Sequence, residues 1–351
     1  MTATFLSHEE LGRLVEELTK GGTQVVAPAD GPGGIAYRPI AQLSQARLDG
    51  ALPMRSLKEE FLPVTEPLVR WRFKKSEVQL EPVDAGISPR LILGARPCDA
   101  AGVDVLDKVM SWDYRDDLWF GRREATTIAA LACPVEDESC FCTAVGLAPD
   151  AARGADLLLA RQEGGFRVEA LTPKGQSLVD AHGGHFRPAE GDDPTRVGRE
   201  QARAKVEAQA PASAAAVTAL GPWMEAHFEE PYFATVAQRC NGCGACASVC
   251  PTCHCFDIVD EPEGVDSGVR RRNWDTCQAG KFTLHASGHN PRADQNARFR
   301  QRLMHKFSFY PKRFGTLLCT GCGRCVRACP SGMHLGEMLG ELTRRAVPQG
   351  A

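Results

Sequence analysis

The chain opens on a helical period. In residues 7–20, SHEELGRLVEELTK, the apolar positions Leu11, Leu14, Val15 and Leu18 recur at spacings of three and four, which predicts an amphipathic helix with one buried stripe. Ser7 stands at the N-cap with Glu10 three residues on, the spacing of a capping box, and Gly21-Gly22 close the helix. The pattern then shifts to short, continuous apolar runs. TQVVAP (23–28), LILGA (91–95) and TTIAALAC (126–133) predict strands buried in a sheet. Gly31-Pro-Gly-Gly34 reads as a hairpin turn, and AAGVDVLDKVM after Asp99 as a helix. Strand, loop and helix in this order predict an α/β layer with functional residues at strand ends. Residues 155–187 alternate weakly and read as short strands and turns. Residues 192–226 begin polar and become rich in Ala, Glu, Lys and Arg, with Pro211 and Pro222 as interruptions, a helical connector.

Composition narrows the function. The 351 residues are 43% hydrophobic and 24% charged, with a net charge of −3. A near-neutral balance argues against a general nucleic-acid or membrane-surface binder. The N-terminus reaches acidic residues before any long apolar run, unlike a secretory signal, and no stretch of 18 apolar residues appears. A cytoplasmic location with no membrane or nucleic-acid partner is the expectation.

The fifteen cysteines change that ordinary picture. A long chain without an export signal and with an odd count points to reduced, metal-ligating thiols over disulfides. Cys240, Cys243, Cys246 and Cys250-Pro251 fit C-x2-C-x2-C-x3-C-P, and Cys319, Cys322, Cys325 and Cys329-Pro330 fit it again. Three closely spaced thiolates wrap one side of an iron–sulfur cube, and the fourth cysteine reaches the other cluster. Cluster A is therefore assigned to Cys240, Cys243, Cys246 and Cys329, and cluster B to Cys319, Cys322, Cys325 and Cys250. Gly242, Gly244, Gly321 and Gly323 are expected to let the backbone approach the cluster sulfides. Paired zinc sites are the competing reading, but zinc ribbons use separated C-x2-C pairs. Cys98, Cys133, Cys140 and Cys142 supply the ligand number for a third [4Fe–4S] cluster, with Arg96 and Asp99 positioning its loop, although free buried thiols would have the same composition. Cys253, Cys255 and Cys277 have no assigned role.

The segment between the motifs is basic. From Val269 to Arg313 it carries eleven Lys or Arg against Asp275 and Asp294, which suits a docking face, a counter-charge for anionic clusters, or a solvated helix surface. His285, His289 and His305 read more readily as packing or surface residues than as ligands. The fold class that follows is α+β. An α/β domain spans 1–190, a helical connector 191–229, and a two-cluster ferredoxin-like domain with a long helical insertion 230–340.

Several stretches carry a resemblance: VVAPADGPGGIAYRPI, ARPCDAAGVDVLDKV, ACPVEDESCFCTAVG, CNGCGACASVCPTCHCFDIVD, ASGHNPR, FRQRLMHKFSFYPKRFG and CTGCGRCVRACP. Together, over roughly residues 23–333, they resemble the iron–sulfur beta subunit family of soluble NiFe hydrogenases and sulfhydrogenases, which also includes an iron–sulfur component of anaerobic sulfite reductase. The resemblance implies an electron relay between a flavin-containing NAD(P)H diaphorase subunit and a catalytic metal-containing subunit, with no substrate site and no catalytic residue in the chain itself. A heterodisulfide-reductase-type complex is an alternative setting. A self-contained flavin oxidoreductase is the alternative of another class, although no G-x-G-x-x-G follows a strand. A zinc module would replace redox chemistry altogether.

Overall fold

The computed structural model describes residues 3–133 and 137–346. The first elements are β1 (Thr4–Ser7), α1 (His8–Lys20), β2 (Gln24–Ala29), β3 (Ala36–Ile40), β4 (Thr65–Lys74), β5 (Glu77–Pro82), β6 (Arg90–Ala95), α2 (Pro97–Met110), α3 (Asp117–Ala125) and β7 (Thr126–Leu131). Then come β8 (Leu157–Gln162), β9 (Gly165–Ala170), α4 (Pro173–Ala181) and β10 (Arg187–Pro188).

Eight of these strands form one mixed sheet, in the order β10-β1-β9-β8-β7-β6-β2-β3. Its central four, β8-β7-β6-β2, run parallel. Alternate residues feed two cores, as a sheet covered on both faces requires. Val25, Leu91, Leu93, Ala129 and Leu157 pack with the α1 stripe. Val26, Ile92, Ile128, Ala130 and Leu158 pack with α2 and Trp119 of α3. The first helix forms where its period places it, with Leu11, Leu14, Val15 and Leu18 buried.

Half of its capping box is present. The Glu10 N–H donates to Ser7 Oγ at 3.1 Å, while the Glu10 carboxylate turns away to Arg13 and His185, whose charges outbid a backbone N–H. The Gly31–Gly34 turn joins β2 to β3 as a hairpin, closed by Gly34 N to Gly31 O at 3.0 Å. Residues 155–187 differ from expectation by one helix, α4. Thr172 caps it by accepting from the Gly175 N–H, and Pro173 opens it.

The second half contains α5 (Arg196–Ala208), α6 (Ala214–Thr218), α7 (Leu220–Ala226), α8 (Pro231–Ala237), α9 (Ala245–Ser248), β11 (Phe256–Pro262) and β12 (Ser267–Trp274). It ends with α10 (Gln295–Met304), α11 (Tyr310–Phe314), α12 (Arg324–Arg327) and α13 (Leu335–Ala346). Val217, Leu220 and Met224 of α6 and α7 sink into a core with Phe299, Leu303, Phe307 and Leu339. Between α10 and α11 the helix widens into a π-helical turn, His305–Phe309. It lies just before Pro311, which has no N–H to return to the preceding turn.

The divide read near residue 190 is crossed by a second, antiparallel sheet, β11-β12-β4-β5. β4 of the first half pairs with β12 of the second, Val69 opposite Arg270 and Glu66 opposite Arg272. Buried Arg272 holds Glu66 and Asp116 at once, and Arg122 closes on Glu66 at 2.5 Å.

Candidate iron–sulfur centre

The two cysteine motifs adopt one backbone shape. Gly244 and Gly323 occupy the N-cap positions of α9 and α12 with φ 75° and 69°, the left-handed region open to glycine. Each short helix then delivers a Cys-Pro pair. Cys240, Cys243 and Cys246 line one cavity together with Cys329, Cys325 and the Arg302 guanidinium. The last cysteine of the second motif thus sits with the first three of the first.

Cys250 makes the reciprocal crossing. Its sulfur lies 3.3 Å from Thr252 Oγ1, which donates to Leu318 O at 2.8 Å, directly before Cys319. Lys306 Nζ ties the same two chain segments, 3.4 Å from Cys250 Sγ and 2.8 Å from Leu318 O. Among the described residues no three His, Cys, Asp or Glu side chains converge on a point suited to one metal ion. The first set rings a cavity, which suits a group of several atoms.

The electrostatics fit such a group. Burial pushes the Cys319 thiol up to about 11, with Lys306 pulling it back, and Cys325 up to about 12, with Arg302 pulling it back. Arg302 is 5% exposed and Lys306 2%, and among the described residues neither pairs with a carboxylate. A buried cation without a counter-charge costs several kcal/mol. Thiolates bound to iron supply that charge, so the site fits an anionic iron–sulfur cluster.

The glycines of the second motif also meet a neighbour that sequence reading did not name. A Cβ on Gly321 would lie 2.6 Å from the backbone of Cys142, and one on Gly323 2.6 Å from Ser139 O. They are small because the 139–142 loop presses on them, and Phe141 N donates to Gly321 O at 2.8 Å. The equivalent positions on Gly242 and Gly244 meet the side chains of Gln295 and Thr276.

That loop carries the N-terminal cysteines. Cys142 lies near both Cys133 and Cys140, and Cys140 Sγ is 3.8 Å from Cys322 O. The Cys98 thiol hydrogen-bonds with the Cys322 thiol, which pushes Cys98 up and draws Cys322 down. Pro134, Val135 and Glu136 lie outside the described residues. Asp99 is buried and accepts from Tyr37 Oη and Arg324 Nη2. Arg96 Nη2 donates to Ala51 O at 2.6 Å, and among the described residues its Nε and Nη1 have no hydrogen-bond partner.

The three unassigned cysteines stand beside the first set. Cys253 hydrogen-bonds with Cys250, and its sulfur lies 3.5 Å from Arg302 Nη1. Cys255 and Cys277 form a thiol–thiol hydrogen bond that lowers Cys277 to about 5. The basic segment divides. Arg270, Arg271, Arg272, Arg300 and Lys312 pair with carboxylates of this chain. Arg302 and Lys306 turn inward to the cysteines. His285 and His289 meet edge to face at an exposed turn, and His305 packs against His254 and Tyr310.

Sequence reading passed over Arg302, Lys306 and Thr252 as individual residues. Arg324 left a trace, because it stands in the second motif where the first has Ala245.

The 4Fe–4S dicluster domain family matches residues 239–333, which contain both motifs. Sulfhydrogenase 2 subunit beta of Pyrococcus furiosus is 29% identical over 318 residues, covering 88% of this chain and 92% of its own. The chain resembles the iron–sulfur beta subunits. Like them it is an iron–sulfur, electron-transfer chain, and the likeness extends well beyond the dicluster domain into the N-terminal part that carries Cys98 and Cys142. No described helix is long and apolar enough to cross a membrane.

Proposed function

We propose that this chain is the electron-relay subunit of a multisubunit oxidoreductase. It links a flavin-containing NAD(P)H diaphorase subunit to a catalytic metal-containing subunit, foremost a NiFe hydrogenase or sulfhydrogenase. The named relative and the dicluster domain support this reading. The observation that carries it is the crossed grouping of cysteines around the buried cations Arg302 and Lys306. Cys240, Cys243, Cys246 and Cys329 hold cluster A, and Cys319, Cys322, Cys325 and Cys250 hold cluster B. Cys98, Cys133, Cys140 and Cys142 hold a third. When bound, the clusters supply one-electron storage, and the protein supplies thiolates, buried positive charge and exclusion of water.

The contact between the 139–142 loop and Gly321 supports a row of three sites, N-terminal loop beside second motif beside first motif. The α/β part up to about residue 190 presents one end of that row and the ferredoxin-like part the other. Reduced, anaerobically purified protein tests this. About twelve irons per chain with matching sulfide support three clusters, about eight remove the N-terminal one, and zinc without iron removes the relay. The subunits that co-purify name the catalytic partner. A large nickel–iron subunit supports the hydrogenase reading, and a sirohaem subunit replaces it with sulfite reduction.

A further inference from the structure

Lys306 sits in the π-helical turn His305–Phe309, a departure from the α-helix that often marks a functional position. Its side chain is buried, and its three ammonium protons have three acceptors. These are Cys250 Sγ at 3.4 Å, Thr252 Oγ1 at 3.1 Å and Leu318 O at 2.8 Å. A lysine ammonium is a compact point charge, and here it is fixed between the two chain segments that bring Cys250 and Cys319 together. Arg302, one turn earlier, is placed differently. It reaches Cys246 through that residue's carbonyl, at 3.5 Å, and Cys253 Sγ, also at 3.5 Å. Its charge is spread over a planar guanidinium; it acts on Cys246 across the cavity, but among the described residues it makes no hydrogen bond to a ligand sulfur of the first set.

We infer that Lys306 is a positioning and potential-setting residue, which makes the site of Cys250, Cys319, Cys322 and Cys325 easier to reduce than the site of Cys240, Cys243, Cys246 and Cys329. Reduction adds one negative charge to a site. A buried ammonium at hydrogen-bond distance from a ligand sulfur stabilises the more negative state, and among the described residues no carboxylate pairs with it. Thr252 takes part by holding both the ammonium and Leu318 O. The inference rests on the cluster assignment proposed above.

The test is an EPR-monitored redox titration of the full chain, wild type against K306M, K306R and T252V, with iron and sulfide counted in each. The signal lost in C250S identifies the site. K306M is expected to keep its iron and to lower the midpoint of that signal at least tenfold in reduced-to-oxidised ratio, about 59 mV for one electron. The other midpoint moves less, and K306R restores most of the shift. T252V is expected to lower the same midpoint by a smaller amount, and it carries the test if K306M fails to load iron. Equal midpoints in wild type, K306M and T252V at full iron content overturn the inference and leave the relay standing. A wild-type chain without iron overturns the relay itself.

Discussion

Arg324 and Asp99, 225 residues apart in the chain, form an ion pair of 2.6 Å with both side chains fully buried. Arg324 lies inside the second cysteine motif and Asp99 in the first turn of α2, next to Cys98. The pair is satisfied on both sides. Tyr37 Oη donates to Asp99 at 2.7 Å, and Arg324 Nε donates to Pro53 O at 2.9 Å. It is the polar lock between the large sheet and the motif.

Removing one partner strands the other. D99A leaves a buried guanidinium uncompensated and is expected to cost about 3–5 kcal/mol. Replacing both by apolar residues of similar size is expected to cost less than either single change. Denaturant unfolding of the two single variants and the double variant measures this, and additive losses would show that the pair is not coupled.

Cys250 belongs to the first motif by sequence and to the second by position. C250A is expected to remove the signal of the cluster at Cys319, Cys322 and Cys325, with the other signal retained. Iron should fall by about four per chain. EPR of the reduced variant decides it, and loss of the opposite signal would contradict the crossed ligation.

Gly321 has φ 63° and no room for a Cβ, whereas Gly332 has φ 60° and nothing within 4 Å. G332A is expected to cost the left-handed penalty alone, roughly 1–2 kcal/mol. G321A adds a clash with the Cys142 backbone and is expected to cost clearly more and to loosen the 139–142 loop. Thermal melts of the two variants, with hydrogen exchange across residues 137–146, make the comparison.

His185 clamps α1 through both ring nitrogens, Nδ1 to Glu10 at 2.7 Å and Nε2 to Glu17 at 2.8 Å. Those hydrogen bonds, to Glu17 first and then Glu10, raise the His185 pKa, and both carboxylates are lowered in return. A raised histidine contributes stability that is full below its unfolded pKa, about 6.5, and is lost as pH rises through the folded value. The stability difference between wild type and H185Q is therefore expected to be full below about pH 6.5 and to shrink as pH rises above it. Melting curves below and above that pH check it, and a difference that grows with pH would reverse the assignment.

Local signals carried much of this structure. The α1 stripe, the buried strands β2, β6 and β7 and the duplicated cysteine spacing are written in neighbouring residues, and they form where those residues place them. The contacts made across the chain had no such signature. Nothing near Thr65 announces Ser267–Trp274 as its partner, because strand pairing depends on the partner more than on local propensity. Lys306 lies among Arg and Lys residues of the same composition, and only the fold separates those that meet carboxylates from the one that meets Cys250. The glycines of the second motif were legible as glycines, but the 139–142 loop that demands them lies far away in sequence.

The shared sheet has a consequence for synthesis. Glu66 and Arg272 are 206 residues apart. At roughly 5–20 residues per second, a ribosome delivers the partner strand roughly 10–40 s after Glu66 has emerged. Throughout that interval the β4 edge of the nascent hairpin of β4 and β5 is unpaired, and an unpaired edge invites other strands. The chain's most vulnerable moment thus falls during translation, and chaperones that act on nascent chains are the factors suited to guard it.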